Sequence, residues 1–194
     1  MKKTAVTVAI LSSLLSATAF AAPADNNTSQ ADLEFSGKVT ASLCQVDTSN
    51  IAQTIDLGEL STSALKATGK GPAKSFSVNL INCDTTLNSI KYTIAGSNNT
   101  GSDTQYLVPK ASDTSAQGVG VYLQDNNSTA ITIGAEKTVP VVSNSGSALS
   151  DQSIPLQAYI GTITGNPDDG SVKAGTVSTT AVMTIRTAAA ASNP

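Results

Sequence analysis

The chain has no histidine, no tryptophan and a single arginine, Arg186, among its 194 residues. Without histidine there is no Ser-His-Asp or Cys-His nucleophilic arrangement, and the commonest metal ligand is missing. Aromatic residues make up 4% of the sequence and charged residues 13%. A core must therefore be built from Val, Ile, Leu and Ala, and is expected to be thin. Long apolar runs are lacking as well. The stretch 4–17 is broken by serines, and it is too short and too rich in Ser and Ala for a membrane span. After Lys2 and Lys3 no basic run occurs, so the clustered Lys and Arg that hold nucleic acid or anionic lipid are absent. These absences predict a protein that is not an enzyme, takes no cofactor or metal, and binds no nucleic acid.

The acidic residues do not restore a catalytic case. Asp25 and Asp168-Asp169-Gly170 lie in polar, turn-like sequence, where a solvated loop acid is the plain reading. Glu34 and Glu59 stand alone beside apolar residues, as on the outward side of strands. Gly69-Lys70-Gly71-Pro72 lacks the glycine spacing and the following Ser or Thr of a phosphate loop, and reads as a turn. Asn98-Asn99-Thr100 and Asn126-Asn127-Ser128 are sequon-like triplets of the kind that chance supplies in a chain rich in Asn, Ser and Thr.

What is present begins at the N-terminus. Met1-Lys2-Lys3, a short apolar stretch and Ala19-Phe20-Ala21 form the pattern of a secretory signal peptide, residues 1–21, cut after Ala21. A cut one residue later would place Phe20 where a small side chain is wanted. Loss of Lys2 and Lys3 leaves nine basic residues against 14 acidic ones, a net charge of −5 on a mature chain of about 173 residues, the size of one domain. Export brings the only two cysteines, Cys44 and Cys83, into an oxidising compartment, where they are expected to form a structural disulfide. Closing a loop of about 40 residues stabilises a fold by roughly 4 kcal/mol in the chain-entropy model.

Residues 22–30 are small and polar, with the composition of a flexible leader. Ala31, Leu33 and Phe35 then alternate with Asp32, Glu34 and Ser36 until Gly37, a strand with one apolar face. Further strands are predicted at 38–46, 51–58, 74–81, 89–95, 106–108, 119–123, 130–133, 138–142, 154–160 and 177–187, with turn residues between them. Residues 61–68 allow one short helical turn. Many short strands, frequent turns and one disulfide make an all-β sandwich.

The ordered motifs now resemble the subunits of chaperone–usher pili, close to the major pilins of type 1 fimbriae. Leu33-Glu34-Phe35-Ser36-Gly37-Lys38-Val39 is similar to that family's opening apolar-x-Phe-x-Gly-x-Val, and Cys44 follows Gly37 at the family's spacing. Ile55-Asp56-Leu57-Gly58, Phe76 to Cys83, Val119-Gly120-Val121 with Leu123 and Asp125, Ile154-Pro155-Leu156-Gln157-Ala158-Tyr159 and Ala174-Gly175-Thr176-Val177 match later segments in order.

The resemblance implies an incomplete immunoglobulin-like β-sandwich that lacks its last strand, preceded by an N-terminal donor-strand extension. It implies a structural subunit that polymerises by donor-strand exchange into an adhesive surface fibre. The partners it implies are other pilus subunits, a periplasmic chaperone that lends a strand, and an outer-membrane usher. The route is export through the periplasm to the cell surface. On this reading residues 22–36 are the extension, 37–187 the pilin domain and 188–194 a C-terminal tail. Ser29, Ala31, Leu33 and Phe35 form the donor row, and Ala181, Met183 and Ile185 line the acceptor groove and chaperone contact. Without the family, the leader still carries one strand's worth of apolar residues ahead of a complete strand, with no obvious home in its own domain; the alternative is an ordinary first strand that folds back within the same chain. Burying Leu33 and Phe35 contributes roughly 1.5–3 kcal/mol each. Two departures stand out. Ser29 occupies a donor position where the family often has glycine, and Thr187 replaces the family's next-to-last Tyr, with 188–194 continuing beyond it. An alternative role is adhesion by the subunit itself, with loops 98–103 and 166–169 as exposed candidates for contacting a host surface receptor.

Overall fold

A computed structural model describes Glu34 and residues 44–101, 103–167 and 170–189. The chain divides into two units, residues 1–39 and 40–194, and all the strands described belong to the second.

Period-2 alternation builds the strands. In order they are β1 (Gln45–Val46), β2 (Lys74–Ile81), β3 (Leu87–Gly96), β4 (Val119–Asp125), β5 (Glu136–Val139), β6 (Ser143–Asn144), β7 (Ser147–Ala148), β8 (Gln152–Thr162) and β9 (Ala181–Ala189). Among the described residues one helix, α1 (Thr62–Thr68), and a 3-10 turn over Thr48–Asn50 complete the elements. In β8 Ile154, Leu156 and Ala158 point inward while Ser153, Pro155 and Gln157 face out. In β3 the inward row is Ile90, Tyr92 and Ile94, and an irregularity between Leu87 and Ser89 lets Leu87 turn inward as well.

All pairs are antiparallel, and the strands form two sheets, β1-β2-β8-β4 and β5-β3-β9, with a small β6–β7 hairpin beside them. Leu80, Ile154 and Leu156 of the first sheet meet Ile90, Tyr92 and Ile94 of the second in one buried cluster. Pro155 is tolerated in a central strand for a reason of register. It lies opposite Ser77, whose carbonyl points away to the outer edge of β2, and β4 stops at the neighbouring pair Asp125–Leu156. The missing N–H of Pro155 thus falls where the ladder has ended.

The first sheet reproduces the A-B-E-D order of an immunoglobulin-like sandwich, and β3-β9 supply strands C and F of the other. No strand occupies the G position beyond β9 among the described residues.

Cys44 and Cys83 are joined, as expected, tying the start of β1 to the chain just after β2. The Gln152 side chain is 3% exposed, and it accepts from the Val142 N–H and donates to the carbonyls of Val142 and Leu149, which fixes the chain on both sides of the β6–β7 hairpin. Helix α1 forms where Ser61 caps it, accepting the Ala64 N–H at 3.1 Å, and it stops at Gly69, whose φ of 72° suits glycine. The 69–72 stretch is thus a helix stop and turn.

Several strand expectations are corrected. Among the described residues 51–58 form no ladder, so Glu59 does not sit at a strand end either; it is simply exposed. Stretches 106–108 and 130–133 contribute only single bridges, Leu107–Val121 and Gln124–Ala130, because their neighbouring residues leave the edge of β4. The last strand starts at Ala181 instead of residue 177, since 176–180 bond to loop backbone at Lys110, Ala116 and Ser97. It then runs two residues past Thr187, with Ala188 opposite Ser89 and Ala189 opposite Leu87. Ala188 and Ala189 belong to the sandwich.

Candidate functional site

β9 places the site. One of its edges pairs with β3 along its whole length, while its other edge carries no strand among the described residues. Met183, Ile185 and Thr187 form its inward row and are only half-buried, although the matching row of β3 is fully buried. The same contrast appears in β2, where Leu80 is 1% exposed but Phe76 and Val78 are half-buried. The core is closed around Leu80 and Ile90 and open along Phe76, Val78, Met183 and Ile185.

The opening is a groove of about 1890 Å³. Its floor is apolar, formed by Val121, Leu123, Leu156 and Ala158 from the first sheet and Ile94 from the second. β9 forms one bank through Ala181, Val182, Met183 and Ile185. Residues 53–60 form the other, with Leu57 packed on the core. A second small core, Leu65, Val119 and Val172 with Leu60 and Ile160 against it, also reaches the groove.

The sequence has no histidine to place here. Among the described residues no group of three His, Cys, Asp or Glu side chains could hold a metal ion. An apolar trench flanked by a bare strand edge can accept an extended chain: the edge offers backbone hydrogen bonds and the trench takes alternate side chains.

The sequence-derived residues fall as follows. Cys44 and Cys83 form the disulfide. Ala181, Met183 and Ile185 come together on the groove bank. Ser29, Ala31, Leu33 and Phe35 lie outside the described residues, as do Asp25, Asp168 and Asp169. Of the loop candidates, 98–103 is organised from within by half-buried Asn99. Its Nδ2 donates to the carbonyls of Asp103 and Tyr106 at 2.6 and 2.7 Å, and its Oδ1 accepts the Val108 N–H at 3.1 Å.

Sequence reasoning missed the bank at 53–60, since it reads 51–58 as an ordinary strand, and it does not single out Phe76 and Val78 within the 74–81 strand as groove residues. The signal for the first was present in the alternation of Ile55 and Leu57 with Thr54 and Asp56; only the absence of a partner was invisible.

Comparison with known proteins agrees with this geometry. The sequence pattern of the family described as fimbrial protein matches residues 33–187. The chain is 79% identical over 189 residues to fimbrial protein 987P of Escherichia coli, covering 97% of both. It is 30% identical over 163 residues to the type-1 fimbrial protein A chain of Escherichia coli K12, covering 81% of this chain and 87% of that one. Among solved structures, the P pilus rod subunit PapA superposes with a TM-score of 0.61 at 18% identity, covering 76% of this chain and 100% of that one. A chaperone–usher pilus structure matches with a TM-score of 0.61 at 19% identity, covering 81% and 94%. The chain belongs to the fimbrial protein family and is a structural subunit of a fimbrium.

Proposed function

We propose that the subunit polymerises by donor-strand exchange, its groove taking the N-terminal extension of a neighbouring copy. The observation that carries this reading is the bare outer edge of β9 beside a continuous apolar groove. Dimensions agree. A donor row of Ser29, Ala31, Leu33 and Phe35 spans about 20 Å at about 3.3 Å per residue, within the roughly 27 Å of the nine-residue β9. Residues 53–60 on the opposite bank, which have no ladder partner among the described residues, supply a second neighbour for the inserted strand. Main-chain bonds supply affinity and the side chains in the groove supply register.

An apolar groove and an open strand edge are an aggregation hazard until filled. A periplasmic chaperone that lends a strand, and an outer-membrane usher at which the next subunit's extension replaces it, solve that problem during export. The product is an adhesive fibre on the cell surface.

A mixing test decides the reading. Leu33→Asp or Phe35→Asp buries a carboxylate in an apolar trench without a partner. Either variant is expected to lose fibre growth as donor while still accepting the extension of an unmodified copy. Ile185→Asp is expected to accept none and to be lost in the periplasm. Normal fibres from the Leu33 or Phe35 variants refute donor-strand exchange through this row.

A further inference from the structure

Two strand edges flank the groove, and they are finished differently. β9 is bare on its outer side among the described residues. β2 is not. β1 covers Leu80 and Ile81, and the Asp47 N–H donates to the Asn79 carbonyl at 3.0 Å. The chain then leaves the edge through the turn at Thr48–Asn50, which Asp47 secures by accepting the Ser49 N–H and hydroxyl at 2.9 Å each. Where a longer β1 would have continued, side chains take over its hydrogen bonds. The Asn79 N–H donates to Asn50 Oδ1 at 2.8 Å, and Gln53 Nε2 donates to the Ser77 carbonyl at 2.9 Å. One side-chain carbonyl stands in for a strand carbonyl and one side-chain amide for a strand N–H.

We infer that Asn50 and Gln53 are positioning residues for strand acceptance: they close the edge of β2 and hold residues 51–58 on the far bank of the groove, so that an incoming strand goes to β9. This rests on the donor-strand reading and adds which edge is refused. An uncapped β2 edge is a pairing template in its own right. Beyond the Thr48–Asn50 turn Gln53 already faces Ser77, and pairing of the residues that follow it with the 74–76 edge of β2 would satisfy the first part of their strand pattern within the chain. Such zipping draws the bank away from the groove. Uptake then falls with the fraction of molecules that keep the bank in place.

The test uses the full chain purified from the periplasm with the chaperone strand still in its groove, disulfide intact, and a fluorescent synthetic peptide of residues 22–36. Asn50→Asp keeps an acceptor for the Asn79 N–H and is expected to take up peptide at the unmodified rate. Gln53→Glu has the same size at an exposed position but removes the donor to Ser77. It is expected to slow uptake about fivefold, the factor that one hydrogen bond is worth. The double change Asn50→Ala with Gln53→Ala is expected to slow it by more than tenfold, with faster amide exchange at Asn79. Unchanged uptake in Gln53→Glu and in the double variant overturns the inference and leaves the donor-strand reading standing. An unmodified chain that takes up no peptide overturns the donor-strand reading itself, and this inference with it.

Discussion

Tyr122 and Tyr159 stand side by side across the β4–β8 pair, with ring centroids 5.3 Å apart and planes 10° from parallel. Tyr106 leans on Tyr122 at 5.5 Å, so three of the chain's four tyrosines form one row on the outer face of the first sheet. The row fits because the sheet beneath it has no side chains there. Gly120 and Gly161 are register partners, and a Cβ on Gly120 would collide with the Tyr106 ring, while one on Gly161 would lie 2.8 Å from the Tyr122 ring.

The requirement predicts the effect of one methyl group. Gly120→Ala is expected to displace Tyr106 and to cost about 1–3 kcal/mol, the range for forced overpacking. Tyr106→Ala in the same chain relieves the clash, so the double variant should lose less than the sum of the single losses. Urea denaturation of the four proteins checks this. Strict additivity would show that Tyr106 is not what the methyl meets.

Asp125 is one of four carboxylates, with Asp47, Asp84 and Glu136, that hydrogen bonds hold below their ordinary values and that contribute to the acid response. The hydrogen bond from Lys137 holds its carboxyl below the ordinary value, helped by the Thr129 and Asn127 N–H groups and opposed by desolvation. The folded pKa is the lower one, so the stabilisation is complete above the unfolded pKa of about 3.9 and is lost as pH falls through the folded value. Asp125→Asn is therefore expected to lower stability at pH 7 and to flatten its decline below about pH 4. Melting temperatures at pH 7, 4 and 3 measure both effects. A decline below pH 4 as steep as in the unmodified chain would assign the acid response to other carboxylates.

Much of this architecture is legible in the sequence because alternation is enforced wherever both faces have fixed fates. β2 and the inward row of β8 match their sequence patterns, since one side meets the core and the other water. Residues 51–58 carry the same pattern and yet form no ladder, because alternation reports a strand's faces and is silent about whether an edge partner exists. That silence conceals the groove. Asn50 and Gln53 look like any polar residues in a turn; only the backbone groups they meet, 29 and 24 residues away in sequence, reveal their part. Asn99 is similar, since its three bonds depend on a loop conformation that no local pattern encodes. The family resemblance ends the domain at Thr187, whereas β3 is long enough to pair Ala188 and Ala189 as well.

The disulfide sits at the shortest strand contact of the first sheet. β1 contributes only two residues to the sheet, and the bridge binds its start to the chain after β2, 39 positions away. Both cysteines are 7% exposed, and the Cys83 N–H donates to the Ser150 carbonyl, so the linkage reaches the segment just before β8 too. Cys44→Ser with Cys83→Ser is expected to lower unfolding free energy by roughly 4 kcal/mol, chiefly by releasing a loop in the unfolded chain. Either single serine variant should lose about as much, since each breaks the same bond. Mass analysis of the unmodified exported chain without reductant should find both thiols blocked within one molecule. Urea midpoints of the variants then separate two roles: a loss near the expected size marks a structural bridge, while unchanged midpoints would show that hydrogen bonds alone hold β1 in place.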